Sequence, residues 1–312
     1  MTARQLAALL TAATIWGGSF LFIRVLVDAG VEPMGVAASR MAIGVVTLAP
    51  FAVAARGQLP RRPSALALLA VLGVVNFAVP FTLFGFAEQR VTSGTAAVVN
   101  ASMPFWTAIL AALFVAGEGF TRSRTLGLVA GFLGVAAVAS GDVAVDDGGA
   151  VTGVLLVLLA TFCYGVSAVA IRRWLMGVPA LWITTLQLLF GALVVGPLAL
   201  ATGAYDDAAM GLAEWSSMLA LGAGGSALAI LLYMWLIGEV GPVRAAVVTY
   251  LPPPIGVFLG WLLLGEPIGW GLIAGLVLVV GGVAMVQGPE FVRLAVRSMF
   301  RRPVVEPAPL SD

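Results

Sequence analysis

Ten long apolar runs constrain this chain more than any other feature. They cover roughly residues 6–27, 34–55, 64–86, 92–116, 123–141, 150–171, 179–202, 213–237, 242–264 and 269–288. A bilayer core about 30 Å thick takes about 20 residues of helix, and a backbone in lipid must satisfy its own hydrogen bonds. Each run therefore reads as a transmembrane helix. The short connections predict neighbours packed as antiparallel hairpins. With 61% hydrophobic and 10% charged residues in 312, no single soluble core could hide this surface. The fold class is all-α integral membrane, with ten transmembrane helices. The first run is too long for a signal-peptide apolar region and lacks a small-x-small cleavage site, so it reads as a retained span. Gly127 and Gly131 predict close helix approach in the fifth span.

Composition narrows the chemistry. The chain has no His and one Cys, Cys163, without a base near it. That removes the usual general base and the commonest metal ligand, so no catalytic site, metal or cofactor is predicted. A net charge of +1 gives no bias toward nucleic acid. All 16 basic residues are Arg, a composition typical of GC-rich bacteria. Thirteen of them fall at one end of the spans: Arg4, Arg56, Arg61, Arg62, Arg122, Arg124, Arg172, Arg173, Arg244, Arg293, Arg297, Arg301 and Arg302. The opposite loops hold Arg90 among many acids. This asymmetry predicts a bacterial inner-membrane protein with both termini cytoplasmic. The basic tail 289–312 either lies on anionic lipid through residues 289–302 or stays polar and free, with 303–312 disordered.

The chain also repeats itself. Trp16-Gly17, Ser19 and Ile23-Arg24 return 148 positions later as Tyr164-Gly165, Ser167 and Ile171-Arg172. Ala96-Ala97-Val98-Val99 with Pro104 returns as Ala245-Ala246-Val247-Val248 with Pro253. Gly117-Glu118 returns as Gly265-Glu266, and Gly127-Leu128 as Gly271-Leu272. The chain is thus a duplicated five-helix unit, 1–143 and 148–288. Five is odd, so the second copy enters the membrane from the other side. Such inverted repeats enclose a central cavity and can open to either side by exchanging the conformations of their halves.

The stretch Ala13-x-Ile-Trp-Gly-Gly-Ser-Phe20, Arg40, the duplicated Ala-Ala-Val-Val…Pro and the Gly-Glu pairs resemble the drug/metabolite transporter superfamily. The ten-helix exporter branch, with two EamA-type repeats, is the most similar. The resemblance covers residues 6–288 and implies a basket of ten helices, with the first, third, fourth, sixth, eighth and ninth around the cavity. It further implies export of aromatic or other neutral amino acids or similar small metabolites. Multidrug efflux and lipid flipping stand as the alternatives.

Polar and aromatic groups near mid-span mark the expected pathway. Asn76, Phe77 and Phe81 cluster around Pro80, which should kink the third span and free the Asn76 carbonyl. Asn100 and Trp106 flank Pro104 in the fourth. In the ninth, Tyr250 precedes Pro252, Pro253 and Pro254, which cannot occupy a regular helix interior, so this helix should break. Trp16 with Ser19, Tyr164 with Ser167, and Tyr233 complete the predicted binding set. The two serines could instead bond back to their i−4 carbonyls.

Charges inside the spans are few. Arg24 either snorkels or pairs with Asp28, and Arg40 faces a watery gate or an unnamed carboxylate. Glu118 and Glu266 suit capping or loop pairing. No acid sits at mid-span, which favours a neutral or zwitterionic cargo moving down its gradient, with Glu88 the one external candidate for a proton site. Small-molecule cargo and membrane lipid are the expected partners.

Overall fold

The computed structural model describes residues 1–115, 118–143 and 149–288. Gly117, the boundary between the repeats and the basic tail lie outside the described residues. Every described element is helical. Among the described residues, nine helices are long and apolar enough to cross a membrane: Ala3–Asp28, Pro33–Ala54, Pro63–Glu88, Ser93–Phe114, Arg122–Ser140, Gly149–Trp174, Ala180–Ala201, Leu212–Val240 and Trp270–Gln287. The remaining apolar run is Pro252–Leu264, preceded by a short helix, Pro242–Ala245, and a 3-10 stretch, Ala246–Tyr250. Counted in chain order, with this broken run as the ninth, these are the first to tenth spans.

Local chemistry sets the ends. Thr2 caps the first span through a reciprocal box with Gln5, satisfying orphan N–H groups. The second and third begin on Pro33 and Pro63, where a missing N–H costs nothing. Gly265 closes the ninth in the left-handed region, φ 67°, a conformation a side chain would resist.

The spans pair as an inverted duplication requires. The second packs on the seventh and the fifth on the tenth, each a helix against its own counterpart. The third packs on the sixth as the eighth does on the first, and the far half of the fourth lies on the sixth as Pro252–Leu264 lies on the first. The two third-position spans also carry the same irregularity. Both widen into π-helix, over Val74–Ala78 and Ala220–Leu228. In the first copy the π turn absorbs Pro80, so the expected kink appears as a widened turn in an otherwise continuous span. In the second, Gly222, Gly224 and Gly225 permit it without proline.

The fifth and tenth spans meet along glycines. A Cβ at Gly127 would stand 2.7 Å from the Gly282 carbonyl oxygen, and one at Gly134 2.9 Å from that of Gly275. The predicted close approach of the fifth span is therefore real, and the partner is the tenth. Gly127→Leu is expected to lower stability by about 2–3 kcal/mol through overpacking. Gly57→Ala, at a site with nothing within 4 Å, should leave it unchanged. Thermal unfolding in detergent, with equal midpoints for the two variants as the contrary result, checks this.

Candidate functional site

Each fourth-position span is broken near its middle. In the fourth, helix Ser93–Asn100 gives way to Met103–Phe114 across Ala101-Ser102. In the ninth, the 3-10 stretch passes at Leu251 into Pro252–Leu264. The sequence predicts the break in the ninth; in the fourth it predicts a kink at Pro104, which is found as a break. Pro104 denies the Asn100 carbonyl its i+4 donor, and the proline run denies those of Val248, Thr249 and Tyr250 theirs. The Val248 carbonyl instead accepts from the Leu251 N–H at 3.4 Å; carbonyls left without a donor at mid-membrane are potential ligands.

The two ends of the bundle differ at these spans. At the acid-rich end, Ser93–Asn100 packs along Pro252–Leu264. Glu266 fastens the contact: one carboxylate oxygen accepts from the Ser93 N–H at 2.7 Å, the other from the Ser93 hydroxyl at 2.9 Å and the Gly94 N–H at 3.1 Å. A carboxylate on a helix N-terminus meets both unsatisfied donors and the positive end of the helix dipole. At the arginine-rich end the equivalent pair, Met103–Phe114 against Pro242–Tyr250, makes no more than marginal contact among the described residues. There Glu118 binds Arg124 and Arg172 instead, at 2.9 Å each. Hydrogen bonds from Arg172 and then Arg124 hold its carboxyl below the ordinary carboxylate range. So of the two roles expected for the Gly-Glu pairs, Glu266 takes capping and Glu118 takes loop pairing. Among the described residues, no counterpart of the Glu266 bonds joins the fourth and ninth spans at the arginine-rich end.

The predicted binding residues divide into groups. Trp16 donates from Nε1 to the Gly225 carbonyl at 3.1 Å, and its ring meets Tyr233 edge-on at 5.6 Å. Both are half-buried, so they form an incompletely filled aromatic wall. Asn76 lies in the first π stretch and donates from Nδ2 to Gln187 Oε1 at 2.8 Å. Phe77 and Phe81 stack edge-on at 5.3 Å, and Tyr164 lies against Phe84 at 6.2 Å. Ser19 bonds back to the Ile15 carbonyl at 3.1 Å, the plain alternative. Ser167 does not; among the described residues its buried Oγ has no hydrogen-bond partner, and neither do Asn100 Oδ1 and Gln187 Nε2. Unpaired buried polar atoms are rare in helix packing and suit a transient ligand.

Two expected members have hydrogen-bond partners of their own. Trp106 donates to Thr161 Oγ1 at 3.1 Å and packs between Phe132 and Phe162, filling the seam of the fourth, fifth and sixth spans. Tyr250 donates to Gln287 Oε1 at 2.8 Å, which ties the ninth span to the end of the tenth. Arg24 pairs with Asp28 at 2.8 Å, as its spacing predicts.

Sequence reading does not name Gln187 or Ser226. Gln187 is the one amide in the seventh span, a signal of its own. Ser226 sits among glycines and gains its role only through the fold, as the acceptor for Arg40 Nε at 3.1 Å. An apolar groove of about 490 Å³, edged by Leu110, Phe114, Val166, Ala170 and Trp174 with Arg173, lies between the fourth and sixth spans, apart from these groups.

Relatives agree with this architecture. A probable terminal-alkyne amino-acid exporter of Streptantibioticus cattleyicolor is 28% identical over 90% of this chain and 92% of its own. The uncharacterized transporter YdfC of Bacillus subtilis is 27% identical over 91% and 89%. The uncharacterized inner membrane transporter YedA of Escherichia coli K12 is 28% identical over 83% and 82%. A solved crystal structure shares the fold with a TM-score of 0.63, at 20% identity over 96% of this chain and 99% of that one. A model of the EamA-like transporter family matches residues 4–140 and 151–287, once in each repeat, and the chain is a membrane transporter belonging to that family.

Proposed function

We propose that the protein is a secondary carrier that exports amino acids, aromatic or otherwise neutral, or similar small metabolites across a bacterial inner membrane by alternating access. The arginine-rich end, with both termini, faces the cytoplasm on this reading. The observation that carries it is the asymmetry of the fourth and ninth spans: one sequence element, Gly-Glu after a broken helix, latches one end and leaves the other unfastened. Two halves with the same sequence logic in different conformations are what an inverted repeat adopts when open to one side. The cytoplasmic end is then the open one.

In this cycle a cargo reaches the half-buried Trp16, Tyr233 and Tyr164 from the cytoplasm. Its apolar part lies on their rings and on Phe77. Its polar head meets the spare atoms of Asn100, Ser167 and Gln187 and the carbonyls freed by the prolines. The amino-acid exporter among the relatives supports the cargo class. The apolar groove between the fourth and sixth spans favours a second reading, a lipid-like or drug-like cargo admitted sideways.

Counterflow in proteoliposomes decides between them. With a panel of labelled neutral, aromatic and charged amino acids and no ion gradient, saturable exchange of a neutral or aromatic member is expected. Trp16→Ala should cut that exchange by about ten-fold or more while the protein stays folded. Silence across the panel with folded protein would move the assignment to the drug or lipid reading.

A further inference from the structure

Two charged side chains inside the packing belong to no ion pair among the described residues. Arg40 of the second span is 8% exposed; beyond its bond to Ser226, its guanidinium lies 3.9 Å over the Phe81 ring. Glu88, on the last turn of the third span, is fully buried, and neither carboxyl oxygen has a hydrogen-bond partner. The ion pairs that form join Arg24 to Asp28 and Glu118 to Arg124 and Arg172. Sequence position puts Glu88 at the membrane edge. The fold turns it inward, because Arg24 Nη1 donates to the Glu88 backbone carbonyl at 2.8 Å and draws that turn against the first span.

The groups that act on its carboxyl are Arg24 and Asp28 from the first span, Arg40 from the second and Glu266 from beyond the ninth. From the sixth, Tyr164 stands against Phe84, one turn earlier. A carboxylate sealed from water without a donor is costly. A neutral acid is the form this enclosure accommodates. The connection 89–92 ties Glu88 directly to Ser93, where Glu266 latches the acid-rich end. An ionised Glu88 would also repel the Glu266 carboxylate and oppose that latch.

From this juxtaposition we propose that Glu88 is a proton-binding site linked to closure of the acid-rich end. With that end latched, Glu88 holds a proton. When the latch opens, water reaches the carboxyl, its O–H bond breaks, and the proton passes to water. The carboxylate left behind is balanced by Arg24 and Arg40. Reclosing takes a proton from the same side. Within the alternating-access reading, on which this linkage rests for its role in transport, each cycle then releases and regains one proton at the acid-rich side and moves none across the membrane.

Infrared spectroscopy of the protein in lipid tests the site without any cargo. At about pH 7, where a glutamate in water is ionised, the wild type should show the carbonyl-stretch band of a neutral carboxylic acid. Glu88→Gln, which mimics the neutral acid in shape, should remove that band and keep the wild-type melting temperature. Glu266→Ala, which unfastens the latch, should weaken it. No band in the wild type, a band that survives Glu88→Gln, or strong destabilisation by Glu88→Gln overturns the proton site. A band untouched by Glu266→Ala overturns its link to closure. Failure of the amino-acid panel would remove the cargo assignment and leave these spectra to decide on Glu88 alone.

Discussion

Glu266→Ala is expected to open the acid-rich end. The substitution strips the Ser93 and Gly94 N–H groups and the buried Ser93 hydroxyl of their common acceptor. A charge-assisted cap of this kind contributes about 2–3 kcal/mol, allowing for the partial exposure of the glutamate. If that energy favours only the closed state, the balance between states shifts by roughly 30- to 160-fold. A cysteine reporter reads it. Val257, 8% exposed, lies beside Gly94 behind the latch. In a Cys163→Ser background, Val257→Cys should react slowly with a membrane-impermeant maleimide, and at least about ten-fold faster once Glu266 is alanine. Glu118→Ala is the control, since its partners are arginines at the other end. Equal labelling rates with and without Glu266 would end the latch interpretation.

Joining the halves of the ninth span should have a comparable effect on transport. Pro252, Pro253 and Pro254 open the helix Pro252–Leu264, where a missing N–H costs the helix itself nothing. What they prevent is continuation from the preceding 3-10 stretch. Replacing all three with alanine restores donors to Val248, Thr249 and Tyr250 and lets one helix run through Leu251. If the break is the hinge of the cycle, exchange should fall by about ten-fold or more, with thermal stability kept or raised. Helicity by circular dichroism should rise. Wild-type exchange in a protein whose helicity has risen would show that the break is not a hinge.

How far the sequence foretells this depends on the range of the interaction. The spans, the broken ninth helix and the Arg24–Asp28 pair arise from residues at most a few turns apart, so periodicity and proline chemistry disclose them. The π stretch Ala220–Leu228 is hidden because its glycines also suit plain helix packing. Arg40 finds Ser226 across 186 positions, a distance no local pattern spans. Glu88 misleads most: its place at the end of an apolar run suggests water, and only the Arg24 bond to its carbonyl reveals enclosure. The aromatic candidates Trp16, Trp106, Tyr164 and Tyr233 are all half-buried, and what separates them is their neighbours, Thr161, Phe132 and Phe162 in the case of Trp106.

The glycine seam between the fifth and tenth spans has a mechanical meaning. Where backbones touch, there is no layer of side chains to repack, so the two helices cannot slide without collision between carbonyls and Cα atoms. Their outer faces carry large apolar side chains such as Leu126, Leu133 and Val277 toward the surrounding acyl chains. On the proposed cycle this pair is a stator. The rotating parts turn against it, and the perimeter it offers to the bilayer stays constant. Little of the work of switching is then done on the lipid, and bilayer thickness or stiffness has little leverage on the rate at this flank of the molecule.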